Sequence, residues 1–229
     1  LHLEVILSRL KSRYEIDVDS RQPKIPHKET ITTKASAQYK HKKQTGGKGQ
    51  YAEVYLRIEP LERGAGFEFT TKIVGGAIPS QYIPAVEKGL RETIAKGILS
   101  NNPIADVKVE LYDGTFHNVD SSEAAFKIAA SKAFHLAFDD AKPVLLEPVV
   151  NIEVTIPSEF MGEITGNLSS RRGRVQGMDT FGDLQVVQAS IPMDEVKNYE
   201  TELKSMTGGR GSDKLRIGEI GRASCRERV

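Results

Sequence analysis

The chain has 229 residues, 38% hydrophobic and 28% charged, which gives room for one large globular domain or two ordinary ones. No run reaches the ~18 consecutive apolar residues of a membrane helix, no charged leader precedes Leu1-His2-Leu3-Glu4, and one cysteine, Cys225, rules out a disulfide framework or a Cys-based zinc site. A cytosolic, non-membrane protein is expected, formally +1 from 32 Lys and Arg against 31 Asp and Glu.

Leu3, Ile6, Leu7, Leu10 and Tyr14 repeat at helical spacing, and Tyr14, Ile16 and Val18 then alternate with acids, which predicts a helix followed by a strand. A helix and a strand cannot close a core alone, so residues 1–22 read as the end of a domain. Residues 23–27, with Pro23 and Pro26, read as an extended linker. A mixed unit follows over 28–147. Ile31 to Tyr39 and Ala52 to Ile58 alternate as strands around a turn-rich tip, Gln44-Thr45-Gly46-Gly47-Lys48-Gly49-Gln50. Phe67 and Phe69 mark a third strand, and Ile83, Val86, Leu90 and Ile94 share one helix face. Val107, Val109 and Leu111 form another strand, closed by a loop from Asp113 to Asn118. Asp120 as N-cap and Glu123 three residues on match a capping box, opening a helix that carries Phe126, Phe134 and Phe138.

A third piece, 148–212, reads β-α-β-β-α: Val150 to Ile156 as a strand, Phe160, Ile164 and Leu168 on a helix, two strands around Asp179–Asp183, and a helix from Val196 to Met206. That is one strand short of a ferredoxin-like β-α-β-β-α-β unit. The tail, 213–229, holds five basic and three acidic residues and the only cysteine, and its last eleven residues resemble translated sequencing-adapter read-through. It reads as non-native, contributing a strand of at most four or five residues and then exposed coil.

Catalytic constellations are weak. His117, Asp120, Ser121 and Ser122 are hydrolase residue types, but a helix start explains the serines and Asp120. Carboxylate pairs such as Glu147 and Glu153, or Asp139 and Asp140, come with no pocket. The five histidines lack ligand spacing, so no metal is implied. Gly46-Gly47-Lys48-Gly49 has neither the GxxxxGK[ST] nor the GxGxxG register, so it is no nucleotide loop.

Recognition chemistry remains. From Thr30 to Ala52 there are five lysines (Lys34, Lys40, Lys42, Lys43, Lys48) and no acid, a pattern that suits either a solvated strand face or a polyanion partner. A Gly-rich tip with Lys48 between Gln44 and Gln50 can bring donors close to phosphates or base edges. Phe116 and His117, followed by Asn118, offer stacking and donation to phosphate or 2′-OH. Arg171, Arg172 and Arg174 suit either rRNA or a helix C-terminal dipole.

These residues resemble elongation factor G, a translational GTPase family. The resemblance is carried by Leu1-His2-Leu3-Glu4, Lys43 to Tyr51, Gly75-Gly76-Ala77-Ile78-Pro79, Tyr82 to Val86, His117 to Glu123, Lys142 to Pro148, Ser170-Arg171-Arg172-Gly173 and Met206 to Gly211. It implies an α+β chain: the end of a ferredoxin-like domain III (1–22), an S5 domain 2-like domain IV (28–147) with a left-handed β-α-β crossover, and a ferredoxin-like domain V (148–212) lacking its last strand. It also implies that Gln44–Gln50 and His117 sit in tip loops that contact the tRNA–mRNA duplex and rRNA in the decoding region. Domain V would lie by large-subunit rRNA. GTP and Mg²⁺ would belong to a G domain outside this chain, which itself would be a monomer with no cofactor. Lys40-His41-Lys42 and Ala52 look more like a paralogous group of these factors, so a recycling or ribosome-protection role is the alternative. Small-molecule kinases share the S5 domain 2-like fold, but the helices starting near Ser80 and Ser121 lack their phosphate loop.

Overall fold

The computed structural model describes residues 2–19, 24–44 and 49–222. Helix α1 (His2–Tyr14) forms as the periodicity predicts, but residues 15–19 are not a strand. A strand needs a hydrogen-bonded partner, and none of the described strands pairs with this segment. Val5, Ile6, Tyr14, Ile16 and Val18 are 40–67% exposed.

The chain continues through β1 (Lys28–Ile31), β2 (Ala35–Lys43), β3 (Gln50–Pro60), β4 (Phe67–Thr71), α2 (Ile83–Lys96), β5 (Val107–Thr115) and α3 (Glu123–Asp140). One sheet has the order β2-β3-β5-β4, antiparallel except for the parallel β4–β5 pair that α2 connects. Alternation explains which face is covered: Ala52, Val54, Leu56 and Ile58 on β3 and Val109 and Leu111 on β5 have no exposed surface. Against them lie α2 and α3, with Phe126, Phe134 and Phe138 fully buried and Tyr82 stacked on Phe126 at 4.8 Å. Each such side chain is worth about 1.5–3 kcal/mol of transfer free energy.

One break in the alternation positions the tip. Leu56 pairs with Leu111 and Tyr55 with Asp113, which leaves Tyr112 as the extra residue of a β-bulge. Beyond the bulge β5 continues to Thr115, so the second loop begins at Phe116 rather than at Asp113.

The second half runs β6 (Pro143–Pro157), α4 (Met161–Ser170), β7 (Arg174–Phe181), β8 (Leu184–Pro192), α5 (Tyr199–Met206) and β9 (Ser212–Arg222). Its own core gathers Val150, Ile152, Val154, Ile164, Leu168, Ile191, Tyr199 and Leu203, separate from the first. Pro148 lies inside the 15-residue strand β6, which pairs with β1 at one end and with β8 and β9 along the rest. Glu147 on this strand is buried and takes a bidentate ion pair from Arg172 at 2.9 and 3.2 Å.

The expected short last strand is in fact 11 residues. Ser212 to Ile217 pairs with Thr155 back to Val150, and the pairing resumes from Ile220 to Arg222 after a register shift. The unpaired backbone of β6 is the driving force, because buried donors and acceptors take any extended partner on offer. Gly218 reads as a breaker in sequence, yet here it makes continuation possible: a Cβ on it would stand 2.8 Å from the Val149 carbonyl oxygen. Residues 223–229 lie outside the described residues.

Candidate nucleic-acid interface

The two tip loops enter at the same end of the first sheet, since β2 leads out to one and β5 to the other. Of the first, Thr45, Gly46, Gly47 and Lys48 lie outside the described residues, so its flanks carry the geometry. Gln44 is exposed, and Gln50 Oε1 lies 3.0 Å from His41 Nε2 across the strand pair. The second loop projects outward, with Phe116 38% exposed and Asn118 exposed.

Backbone and side-chain hydrogen bonds tie the loops together. The Gly49 N–H donates to Asp120 Oδ1 at 3.1 Å and the Tyr51 N–H to the Asp120 carbonyl at 2.9 Å. Ser121, nearly buried, donates its hydroxyl to the Tyr51 carbonyl at 2.8 Å and accepts the His117 N–H at 2.9 Å. The His117 ring lies tilted toward Tyr51, centroids 6.2 Å apart. Tyr51 in turn receives Lys40 over its face at 5.3 Å and meets Thr115 Oγ1 at 2.9 Å.

Asp120 is therefore not the helix cap. Ser122 is, accepting the Ala125 N–H at 3.2 Å, and Glu123 is the first helical residue rather than the far half of a capping box. A capping box needs the acid three residues past the cap, and that position is Ala125. Tyr51 and Ser121 join the site although the sequence does not single them out. Both sit inside recognised motifs, but nothing local marks them as cross-loop partners.

The basic stretch divides. Lys34 pairs with Glu59 at 3.1 Å and Lys40 approaches Glu53 at 4.0 Å, whereas Lys42 and Lys43 are exposed and make no ion pair among the described residues. Further along the open sheet face, Glu110 takes Lys72 and Arg57, and Lys72 in particular holds its carboxyl below the usual range. Free positive charge thus collects beside the tip.

The arginines at the end of α4 fare differently. Arg171 donates to the Glu195 carbonyl at 2.6 Å, pairs with Glu202 and covers the Tyr199 ring. Arg172 is held by Glu147 and Glu195. Both guanidinium groups, expected as rRNA contacts, have internal partners in this structure. Arg174 is exposed, with no ion pair among the described residues. No group of three or more His, Cys, Asp or Glu suited to a metal occurs among the described residues, and none of their helices is long and apolar enough to cross a membrane.

Comparison with known proteins bears on this arrangement. The family model for elongation factor G, domain IV, matches residues 23–142, and that for the elongation factor G C-terminus matches 144–219. The chain belongs to the elongation factor G family. It is 49% identical over 218 residues to an elongation factor G-like protein of Thermotoga maritima, covering 95% of this chain and 32% of that protein. A solved structure from Thermus thermophilus matches with a TM-score of 0.79 at 42% identity, over 97% of this chain and 33% of that one. The chain thus spans about a third of each relative's length. The elongation factor G match reaches Gly218 and Glu219, so part of the tail that reads as foreign falls inside it.

Proposed function

We propose that this chain is the RNA-facing C-terminal part of a ribosomal translocase. Its two tip loops contact the tRNA–mRNA duplex and rRNA in the small-subunit decoding region during GTP-dependent translocation, while the second half sits by large-subunit rRNA. The observation that carries this reading is the cross-linked pair of loops, Gly49 to Asp120 and Tyr51 to Ser121, beside which Lys42 and Lys43 make no ion pair among the described residues. Such a tip breaks no bond. It fills space and makes hydrogen bonds in one ribosomal state better than another, which shifts the population of states. GTP and Mg²⁺ would act in a G domain of the longer protein, not through residues of this chain. The factor would work as a cytoplasmic monomer on the ribosome.

A second reading, a paralogous translational GTPase acting in recycling or ribosome protection, draws on His41 and Ala52. The two face each other across the β2–β3 ladder, so the departures from the commoner pattern occur as a neighbouring pair.

The test uses the longer protein, recovered with its upstream reading frame. His117→Ala should slow single-round translocation about tenfold or more, the scale of one lost polar contact to RNA, and leave ribosome-stimulated GTP hydrolysis within about twofold. Equal losses in both assays would remove the assignment. Intact translocation together with a defect in subunit splitting would favour the paralogue.

A further inference from the structure

The His117 ring has one nitrogen facing inward and one facing out. Nδ1 lies 3.3 Å from the Val119 N–H and 3.2 Å from the Asp120 N–H, both aimed at it as donors. An imidazole nitrogen that accepts cannot carry the proton, so the neutral ring holds its hydrogen on Nε2. That Nε2 has no hydrogen-bond partner among the described residues, and the side chain is 55% exposed.

Asp120 fixes this arrangement from three atoms at once. Its N–H donates to Nδ1, its carbonyl takes the Tyr51 N–H at 2.9 Å, and its Oδ1 takes the Gly49 N–H at 3.1 Å. The approach is close enough to dictate the residue opposite: a Cβ at position 49 would stand 2.8 Å from the Asp120 carboxyl carbon. Asp120 Oδ2 is 3.5 Å from Nδ1, and that contact would suit the opposite tautomer. Two backbone donors against one longer carboxylate contact decide for Nε2–H.

We propose that Asp120 is a positioning residue that couples the two tip loops and presents His117 Nε2–H outward as a donor to a phosphate oxygen or ribose hydroxyl. The inference rests on the tip being RNA-facing, but its structural half can be tested without RNA.

In the 229-residue chain labelled with ¹⁵N-histidine, ring couplings at mildly alkaline pH should show His117 as the Nε2–H tautomer, assigned by the loss of its signals in His117→Gln. Asp120→Ala keeps the main-chain donors of residues 119 and 120, so the ring should stay Nε2–H, but it removes the Oδ1 acceptor and should raise the exchange rate of the Gly49 amide about tenfold, the scale of one charge-assisted hydrogen bond. Asp120→Asn keeps an acceptor for Gly49 and should restore its slow exchange, which separates positioning from loss of fold. Gly49→Ala should be damaging alone and cost little more once Asp120→Ala has removed the clash. An Nδ1–H ring, or Gly49 exchange unchanged in Asp120→Ala, overturns the proposal. Sedimentation with ribosomes carrying mRNA and tRNA then reads the donor role. Asp120→Ala and His117→Ala should each weaken binding about tenfold with no further loss in the double variant, and Asp120→Asn should stay within about twofold. Expected ring signatures with unaltered ribosome binding would overturn the donor role and the RNA-facing reading, while leaving the loop coupling established.

Discussion

Glu29 is the most exacting test of the first core, because a carboxylate with no exposed surface replaces solvent for a whole loop. Its Oε2 accepts the N–H groups of Ile98 and Leu99 at 2.8 and 2.9 Å. Its Oε1 accepts those of Ser100 and Asn102 at 2.7 and 3.1 Å, plus the Ser100 hydroxyl at 3.2 Å. Glu29→Ala would leave four backbone donors without an acceptor. Each hydrogen bond to a charged group is worth about 1.5–3 kcal/mol, but they share one anion and water can reach part of the loop, so about 3–5 kcal/mol is expected in total. Glu29→Gln sets an amide N–H₂ against donors and should cost about 2–4 kcal/mol. Either loss is a large fraction of a domain's usual 5–15 kcal/mol, taken as roughly the range here.

The pH dependence has a definite sign. Burial alone would push the Glu29 carboxyl up, but the four backbone donors together outweigh it and hold the value below its ordinary 4.5. A depressed folded value means that the stabilisation is complete above the unfolded value and drains away as pH falls through the folded one. Urea unfolding followed by circular dichroism at neutral pH and through the acid range, with exchange of the 98–102 amides as the local readout, measures both effects. Glu29→Gln should flatten the acid limb and deprotect those amides. Less than about 1 kcal/mol lost at neutral pH, or an unchanged acid limb, would refute the clamp.

Arg172→Ala should cost about 2–4 kcal/mol in urea unfolding, since it strands the buried Glu147 carboxylate, and Arg172→Ala combined with Glu147→Leu should recover much of that loss. Gly218→Val should unzip β9 beyond the bulge, seen as faster exchange of the amides from 219 to 222 while those from 213 to 217 stay protected.

What the sequence alone determined was whatever depends on near neighbours. The buried face of β3 follows from period two at Ala52, Val54, Leu56 and Ile58, and the α3 core stripe from the spacing of Phe126, Phe134 and Phe138, because pleat and helix pitch are local geometry. The motifs around Gly46 and His117 marked both loops for the same reason. Tertiary structure decided the rest. In sequence, Asp120 with Glu123 is the better cap register, but the segment from Gly49 to Tyr51 claims Asp120 for itself and leaves Ser122 to cap the helix. Arg171 and Arg172 look free in sequence because Glu195 and Glu202 lie more than twenty residues away and meet them only once the end of α4 meets α5 and the segment before it. Beyond a four- or five-residue stretch, the segment after Asp213 lacks a strand pattern of its own. It becomes β9 because an unpaired strand edge supplies a ladder that propensity alone does not, and backbone hydrogen bonds do not depend on which side chains they carry.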